Sequence, residues 1–164
     1  MNLLSPRLLM GLMALACGAS VLAALYSQHQ LGMQPCPWCI LQRMIFIVLA
    51  VVLGVGAILP ITALRKGLAA LAVLLAGSGV AAALWQHFVA AATNSCALTL
   101  ADRIITATGL DLRWPDVFEV RATCAEAAVD LLGVPFEFWS LALFAIVGVA
   151  ALTSVFMRDG ARHT

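Results

Sequence analysis

The stretch from 39 to 59 reads Cys-Ile-Leu-Gln-Arg-Met-Ile-Phe-Ile-Val-Leu-Ala-Val-Val-Leu-Gly-Val-Gly-Ala-Ile-Leu. A helix needs about 20 apolar residues to cross the hydrocarbon core of a bilayer, and this segment supplies them with one charged interruption, Arg43. A central Arg costs roughly 2.5–3.5 kcal/mol on the insertion scale, while each Leu, Ile, Val or Phe contributes roughly 0.3–0.6 kcal/mol in favour. The Leu, Ile, Val and Phe residues between Ile40 and Ile58 together outweigh Arg43, which also sits near one end of the stretch.

Three further stretches have the same character on either side of it. Residues 8–26 carry no charge, residues 68–92 have His87 near their far end, and residues 135–157 have Glu137 at their entry. The reading is an all-α membrane protein, an antiparallel bundle of four transmembrane helices forming a single membrane domain over 1–164. Composition agrees. Of 164 residues, 63% are hydrophobic and 10% charged, against roughly a quarter charged in soluble proteins, and mean hydropathy is +1.04. Too few polar residues exist to cover a water-soluble globule, so the lipid bilayer is the solvent for most of the chain. The net charge of +1 says nothing about nucleic acid, no basic run is present, and no nucleic-acid partner is expected. Ala14-Leu15-Ala16-Cys17 has a look of a lipoprotein cleavage site, but apolar sequence continues to Leu25, longer than a signal core needs, so the first stretch is taken as a true span.

Lys and Arg in short loops set orientation. Arg7 precedes the first span, Arg65 and Lys66 lie between the second and third, and Arg158 and Arg162 follow the fourth. An even number of spans puts these clusters, and both termini, on one side, the cytoplasm. The outer side then receives a short loop, 27–38, and a long one, 93–134, whose acidic residues outnumber its three arginines.

Four of the five cysteines fall on that outer side: Cys36 and Cys39 in the short loop, Cys96 and Cys124 in the long one. Disulfides persist outside the cytoplasm, and four cysteines allow three connectivities. The Cys96 and Cys124 pair reads equally well as a structural staple. A Cys36–Cys39 bridge closes a very small loop and removes little chain entropy, so redox or metal chemistry is the better reading of Cys-x-x-Cys. Zinc needs further ligands at matching spacing, the chain has no second such motif, and no metal is expected. Cys17, within the first span, reads as a small buried hydrophobe.

The run Pro35-Cys36-Pro37-Trp38-Cys39 opens the second span. Pro37 suits the first helical position, where its missing N–H has no partner. Cys39 then lies in the first turn, near unpaired backbone N–H groups and the positive end of the helix dipole, which stabilise negative charge on sulfur. Arg43 is four residues on and shares its face. A guanidinium there supports a thiolate and can donate to a carbonyl oxygen, and an ionisable residue within a span is a functional candidate by default. A charged sulfur at the membrane boundary calls for an electron acceptor reachable from lipid, and a lipid-soluble quinone fits. His87 lies at about the depth of Arg43. It is read either as a second quinone neighbour that hydrogen-bonds or moves a proton, or as a histidine paired to a nearby Gln86 or Tyr26. The long loop mixes Leu98, Leu100, Ile104, Ile105, Leu110, Leu112 and Trp114 with charges, the pattern either of a short helix on the membrane surface or of residues packed on the outer ends of the bundle.

Taken together, the chain resembles the DsbB family of bacterial inner-membrane, quinone-dependent thiol oxidases. The resemblance covers nearly the whole length. It rests on Gln28-His29 ahead of Cys36, Pro35-Cys36-x-x-Cys39 with Arg43 trailing, Leu64-Arg65, Gln86-His87, Cys96, Cys124-Ala125-Glu126, Asp130, Leu132-Gly133, Pro135 and Trp139. It implies that Cys96 is attacked by a reduced periplasmic DsbA-like partner and that Cys124 is its partner in the resting bridge. Cys124 then attacks Cys36, and the freed Cys39 donates to ubiquinone or menaquinone, with Arg43 and His87 as quinone neighbours. The chain departs from the pattern at Gln42, where the best-known members have an acid, and in the dipeptide Pro37-Trp38 between the cysteines, which should alter redox potential. The vitamin K epoxide reductase-like family also couples thiols to quinones in four helices, but its quinone-side Cys-x-x-Cys comes late in the chain. A non-catalytic membrane subunit with structural disulfides is the remaining alternative, and the alignment of Arg43 with Cys39 argues against it.

Overall fold

The computed structural model describes residues 5–92 and 99–157. Helix α1, Pro6–Gln30, begins at Ser5, whose side chain accepts from the Leu8 N–H. Helix α2, Pro37–Ile58, has Cys36 as its N-cap and Pro37 in its first turn. Only residues 59–61 separate it from α3, Thr62–Trp85, because Pro60 cannot continue a helix and pushes Leu59 into extended backbone. The third helix runs on as a π-helical turn, Gln86–Ala90. Three short helices follow: α4, Leu100–Thr108, α5, Leu110–Arg113, and α6, Pro115–Phe118. A small antiparallel hairpin, β1 (Asp130–Leu131) and β2 (Val134–Pro135), leads into α7, Phe136–Phe156. Four helices are long and apolar enough to cross a membrane, and they form an antiparallel all-α bundle.

Two boundaries differ from the sequence reading. Helix α1 extends one turn past residue 26, so Ser27 and Gln28 are helical and buried. Helix α3 starts at Thr62 rather than near 68, so Arg65 and Lys66 stand in its first turns, not in a loop. Arg65 is buried and donates to the Leu59 carbonyl and to Thr62 Oγ1. The cause is the same in both cases. An apolar window ends where the hydrocarbon core would end, whereas a helix can continue into a polar turn whose side chains find local partners.

The middle of the bundle is closed by packing. Phe46 of α2 and Phe144 of α7 stack with ring centroids 3.9 Å apart and planes 3° from parallel. Ala69, Ala72, Ala76 and Gly79 are buried along one face of α3, and small residues there let α7 approach closely. At Gly79 any Cβ would run into the Phe144 ring. Met10, Cys17, Leu49, Leu53 and Val147 complete this core. The opposite helix faces are apolar and exposed, with Leu15, Leu74 and Phe156 each more than 70% accessible, as expected of surfaces that meet lipid.

One end of the bundle is covered by the segment between α3 and α7. Thr99 and Asp102 form a reciprocal capping box at the start of α4. Gly109 ends it in the left-handed conformation, φ 62°, which favours glycine. Ile105 is buried against Ile40 of α2 and Phe118 of α6, while Leu100, Leu112 and Trp114 remain exposed. The amphipathic helix expected in the long loop is therefore present, with its buried side on the bundle.

Candidate active site

The cysteine pair is built by the start of α2. Cys36, as N-cap, accepts from the Cys39 backbone N–H with its sulfur at 3.2 Å, and the two Sγ atoms lie 2.7 Å apart. The segment from the long loop is tied to this point by backbone. The N–H groups of Arg121 and Ala122 donate to the Pro35 carbonyl at 3.0 and 3.3 Å. Cys124 then opens a turn closed by Thr123 and Glu126, in which the Glu126 carboxylate accepts from the Thr123 N–H and hydroxyl at 2.9 and 2.8 Å. Those two donors hold the Glu126 carboxyl below its ordinary range.

The result places Cys36 between Cys124 and Cys39. Cys36 packs with Cys124 and Cys39, and these two neighbouring sulfurs together with burial push the Cys36 thiol above its ordinary value. Cys36 beside it, helped by the Trp38 backbone N–H, holds Cys124 below its ordinary value despite burial. Cys96 lies outside the described residues. Cys17 is fully buried in the bundle core, away from this group.

Below Cys39 the side chains are polar and buried. Arg43 is 5% exposed, and among the described residues no carboxylate pairs with it. Its Nη1 donates to Gln28 Oε1 at 3.0 Å and to the Val117 carbonyl, while Nε has no partner. Gln28 is fixed in turn by donating to the Asp116 carbonyl at 3.2 Å. A second chain of contacts reaches the sulfur itself. Gln42 donates to Gln86 Oε1 at 2.7 Å, and Gln86 donates to Cys39 Sγ at 3.4 Å. Gln86 stands at the start of the π turn, a local widening that often marks functional sites.

Cys39, Gln42, Arg43, Gln86 and Glu137 share one cavity of about 520 Å³. Its remaining walls are mostly apolar, with Val21 and Ala24 from α1 and Leu143 and Ile146 from α7. Ile146 is 57% exposed, so the cavity reaches the lipid-facing surface between α1 and α7. Its size is that of a small-molecule site.

His87 does not line the cavity. Its Nδ1 lies 2.7 Å from Glu137 Oε1, and its ring packs on Phe88 and Phe138. The partner is thus Glu137 rather than Gln86 or Tyr26, and Tyr26 is 63% exposed. Sequence reasoning gave little weight to Gln28, Gln42, Gln86 and Glu137. The family pattern carries Gln28 and Gln86, and a polar residue within or at the entry of a span is the signal for Gln42 and Glu137.

These features define a class: a polytopic membrane protein with a cysteine centre set over an apolar, lipid-facing cavity at one end of a four-helix bundle. The chain belongs to the DsbB family. The family described as disulfide bond formation protein DsbB matches residues 6–154. The chain is 36% identical to disulfide bond formation protein B of Polaromonas naphthalenivorans (strain CJ2), over 94% of this chain and 95% of that protein. It is 32% identical to the protein of that name from Stutzerimonas stutzeri (strain A1501), over 97% and 100%. For that from Burkholderia pseudomallei (strain 1106a) the identity is 31%, over 98% and 95%.

Proposed function

We propose that this protein is a thiol:quinone oxidoreductase of the bacterial inner membrane. Its cysteine end faces the periplasm and both termini face the cytoplasm, the side on which Arg7, Arg65 and Lys66 gather. It reoxidises a DsbA-like thiol oxidase and so sustains disulfide formation. The observation that carries the reading is that Cys39 and Arg43 line the same lipid-facing cavity while Cys36 packs with both Cys39 and Cys124.

The reduced partner's thiolate attacks Cys96 of a Cys96–Cys124 disulfide, forming a mixed disulfide and releasing Cys124. The Cys124 thiolate attacks Cys36 of the Cys36–Cys39 disulfide, forming a Cys36–Cys124 bond and releasing Cys39 as thiolate. The partner's second thiol displaces Cys96, and Cys96 rejoins Cys124. Cys36 rejoins Cys39 as the electron pair leaves through Cys39. The sum is one dithiol converted to one disulfide, with two electrons and two protons given up.

Ubiquinone or menaquinone, when bound, supplies the acceptor for that electron pair. The residues present fit such a group. The cavity is largely apolar and reaches lipid, and Arg43 carries a buried Nε–H with no protein acceptor, which a ring carbonyl would satisfy. Arg43 also places its positive charge beside the Cys39 sulfur. Gln86 orients that sulfur, and Gln28 holds Arg43 in place.

The test uses purified protein in detergent with excess quinone and a reduced DsbA-type protein, following quinone absorbance. Turnover by the parent that vanishes in Cys39→Ser is the expected result. A parent that consumes no quinone with any dithiol donor overturns the reading and leaves the cysteines structural.

A further inference from the structure

Glu137 is 4% exposed, stands in the first turn of a membrane-spanning helix and lines the cavity. One carboxylate oxygen, Oε1, meets His87 Nδ1 at 2.7 Å, and the other, Oε2, is buried with no hydrogen-bond partner. The His87 side chain is 31% exposed. It lies three residues from the end of its span, Thr62–Ala90, or about 4.5 Å of helix rise. A partly exposed imidazole at the rim is thus joined to a buried carboxyl group in the cavity wall. An acid in the first turn suits the helix dipole. That accounts for a carboxylate there, but not for its burial against the cavity with an oxygen left bare.

We propose that Glu137 is the proton donor to quinone in this cavity and that His87 reloads it from the aqueous surface. The inference rests on the thiol:quinone reading above. Each turnover forms one S–S bond from two S–H groups, whose protons leave to water at the cysteine end. The two electrons pass through Cys39 to the bound quinone. Two protons must therefore enter the cavity by another route, since Cys39 returns to a disulfide and Arg43 keeps its own. Glu137 gives a proton to a ring carbonyl oxygen. His87, protonated at Nε2 from water, passes the Nδ1 proton to Glu137 Oε1. Rotation of the carboxyl group turns that proton toward the cavity. The neutral ring, left with its proton on Nε2, returns to the Nδ1–H form by ring rotation and proton exchange with water, and a second passage supplies the second proton, so the two released are balanced by the two taken up. Glu137 is the catalytic residue in this scheme, and His87 acts through it.

A mere tie between α3 and α7 predicts different behaviour, because glutamine would preserve it. Glu137→Gln keeps an oxygen acceptor for His87 but cannot carry a proton. At saturating partner and quinone, kcat for quinone consumption should fall about a hundredfold or more, within the range of general acid catalysis. Quinone binding, titrated by quinone absorbance without a dithiol donor, should hold, and the pH profile of kcat should change shape. In Glu137→Ala, added formate should restore turnover. His87→Asn supplies an amide donor in place of Nδ1 yet cannot relay, so it should slow kcat and respond to added imidazole. It decides the matter should the Glu137 variants fold poorly. Parental kcat and pH profile in Glu137→Gln would overturn the proposal while leaving the oxidase reading intact. Slow variants that neither formate nor imidazole rescues, with an unchanged pH profile, would also overturn it in favour of a structural tie. A parent that consumes no quinone would bring down both readings at once.

Discussion

The middle of the bundle and its cysteine end are made from the same helices but by opposite rules. In the middle, Phe46 and Phe144 stack, Gly79 leaves room for the ring, and every buried neighbour is apolar or small. About one turn before Phe46 on α2, and about two turns beyond Gly79 in the π turn that continues α3, the buried residues are Gln42, Arg43 and Gln86, joined by Gln28 of α1 and Glu137 of α7. Polar groups buried in this way need partners to be tolerated, and most have them, yet Arg43 Nε and Glu137 Oε2 do not. The closed half holds the geometry. The open half leaves a cavity beneath a sulfur and keeps two polar atoms unpaired beside it. Stability and chemistry are thus segregated along the helix axes, and substitutions in the two halves should fail differently.

The largest expected effect belongs to the closed half. Phe144→Ala removes the stacked ring and should lower the free energy of unfolding by about 3 kcal/mol or more, read as a fall in the thermal midpoint in detergent. Protein that survives should still exchange disulfides through the cysteine end. Next comes Arg43→Met, which deletes the one guanidinium in the cavity wall. Loss of a positioned donor costs about a hundredfold or more in kcat, and quinone turnover should fall by that order, with a smaller drop in thermal midpoint from the Gln28 amide oxygen and Val117 carbonyl left without their donor. A Met variant that unfolded instead would show that Arg43 belongs to the scaffold.

Gln86→Leu sharpens the division. It strands the Gln42 amide and removes the donor to Cys39. The thermal midpoint should drop, and turnover should fall by about tenfold. Adding Gln42→Leu should restore the midpoint but not the rate, which a purely structural pair could not produce. The smallest effect concerns pH. Cys124 is held below its ordinary thiol value chiefly by the neighbouring Cys36. Its thiolate therefore persists as pH falls below that value and is lost only as pH drops through the lowered one. In the reduced protein, alkylation at Cys124, read by mass spectrometry, should retain its rate to lower pH than an ordinary thiol. In Cys36→Ala the midpoint should move up.

Much of this division is legible in the residues. The apolar lengths mark the four spans, Pro37 marks the start of α2, and the spacing of Cys39 and Arg43 puts both on one face of its first turns. These are local properties, fixed by helix period and by the chemistry of proline. The partners of Arg43 are a different matter. Gln28 reaches it because α1 continues a turn beyond its apolar window, and Val117 reaches it because α6 folds back over the bundle. Neither contact has a local signature. The same holds for the π turn that begins at Gln86 and for Glu137, whose partner lies 50 residues away in sequence. The family pattern directs attention to His87, yet in this chain the carboxyl group behind it is the one that lines the cavity. Cys96 is named by that pattern but lies outside the described residues, so its place in the relay remains a proposal from resemblance.

In the proposed reaction, electrons leave the cysteines inside the cavity beneath Cys39, and photoaffinity labelling can locate that exit. A quinone carrying a photoreactive group on its ring would be irradiated with the purified protein, and labelled peptides mapped by mass spectrometry. The account predicts labels on the cavity walls, in α1 around Val21 and Ala24 and in α7 around Leu143 and Ile146, all suppressed by excess unmodified quinone. Competable labelling confined to other faces of the bundle would contradict it.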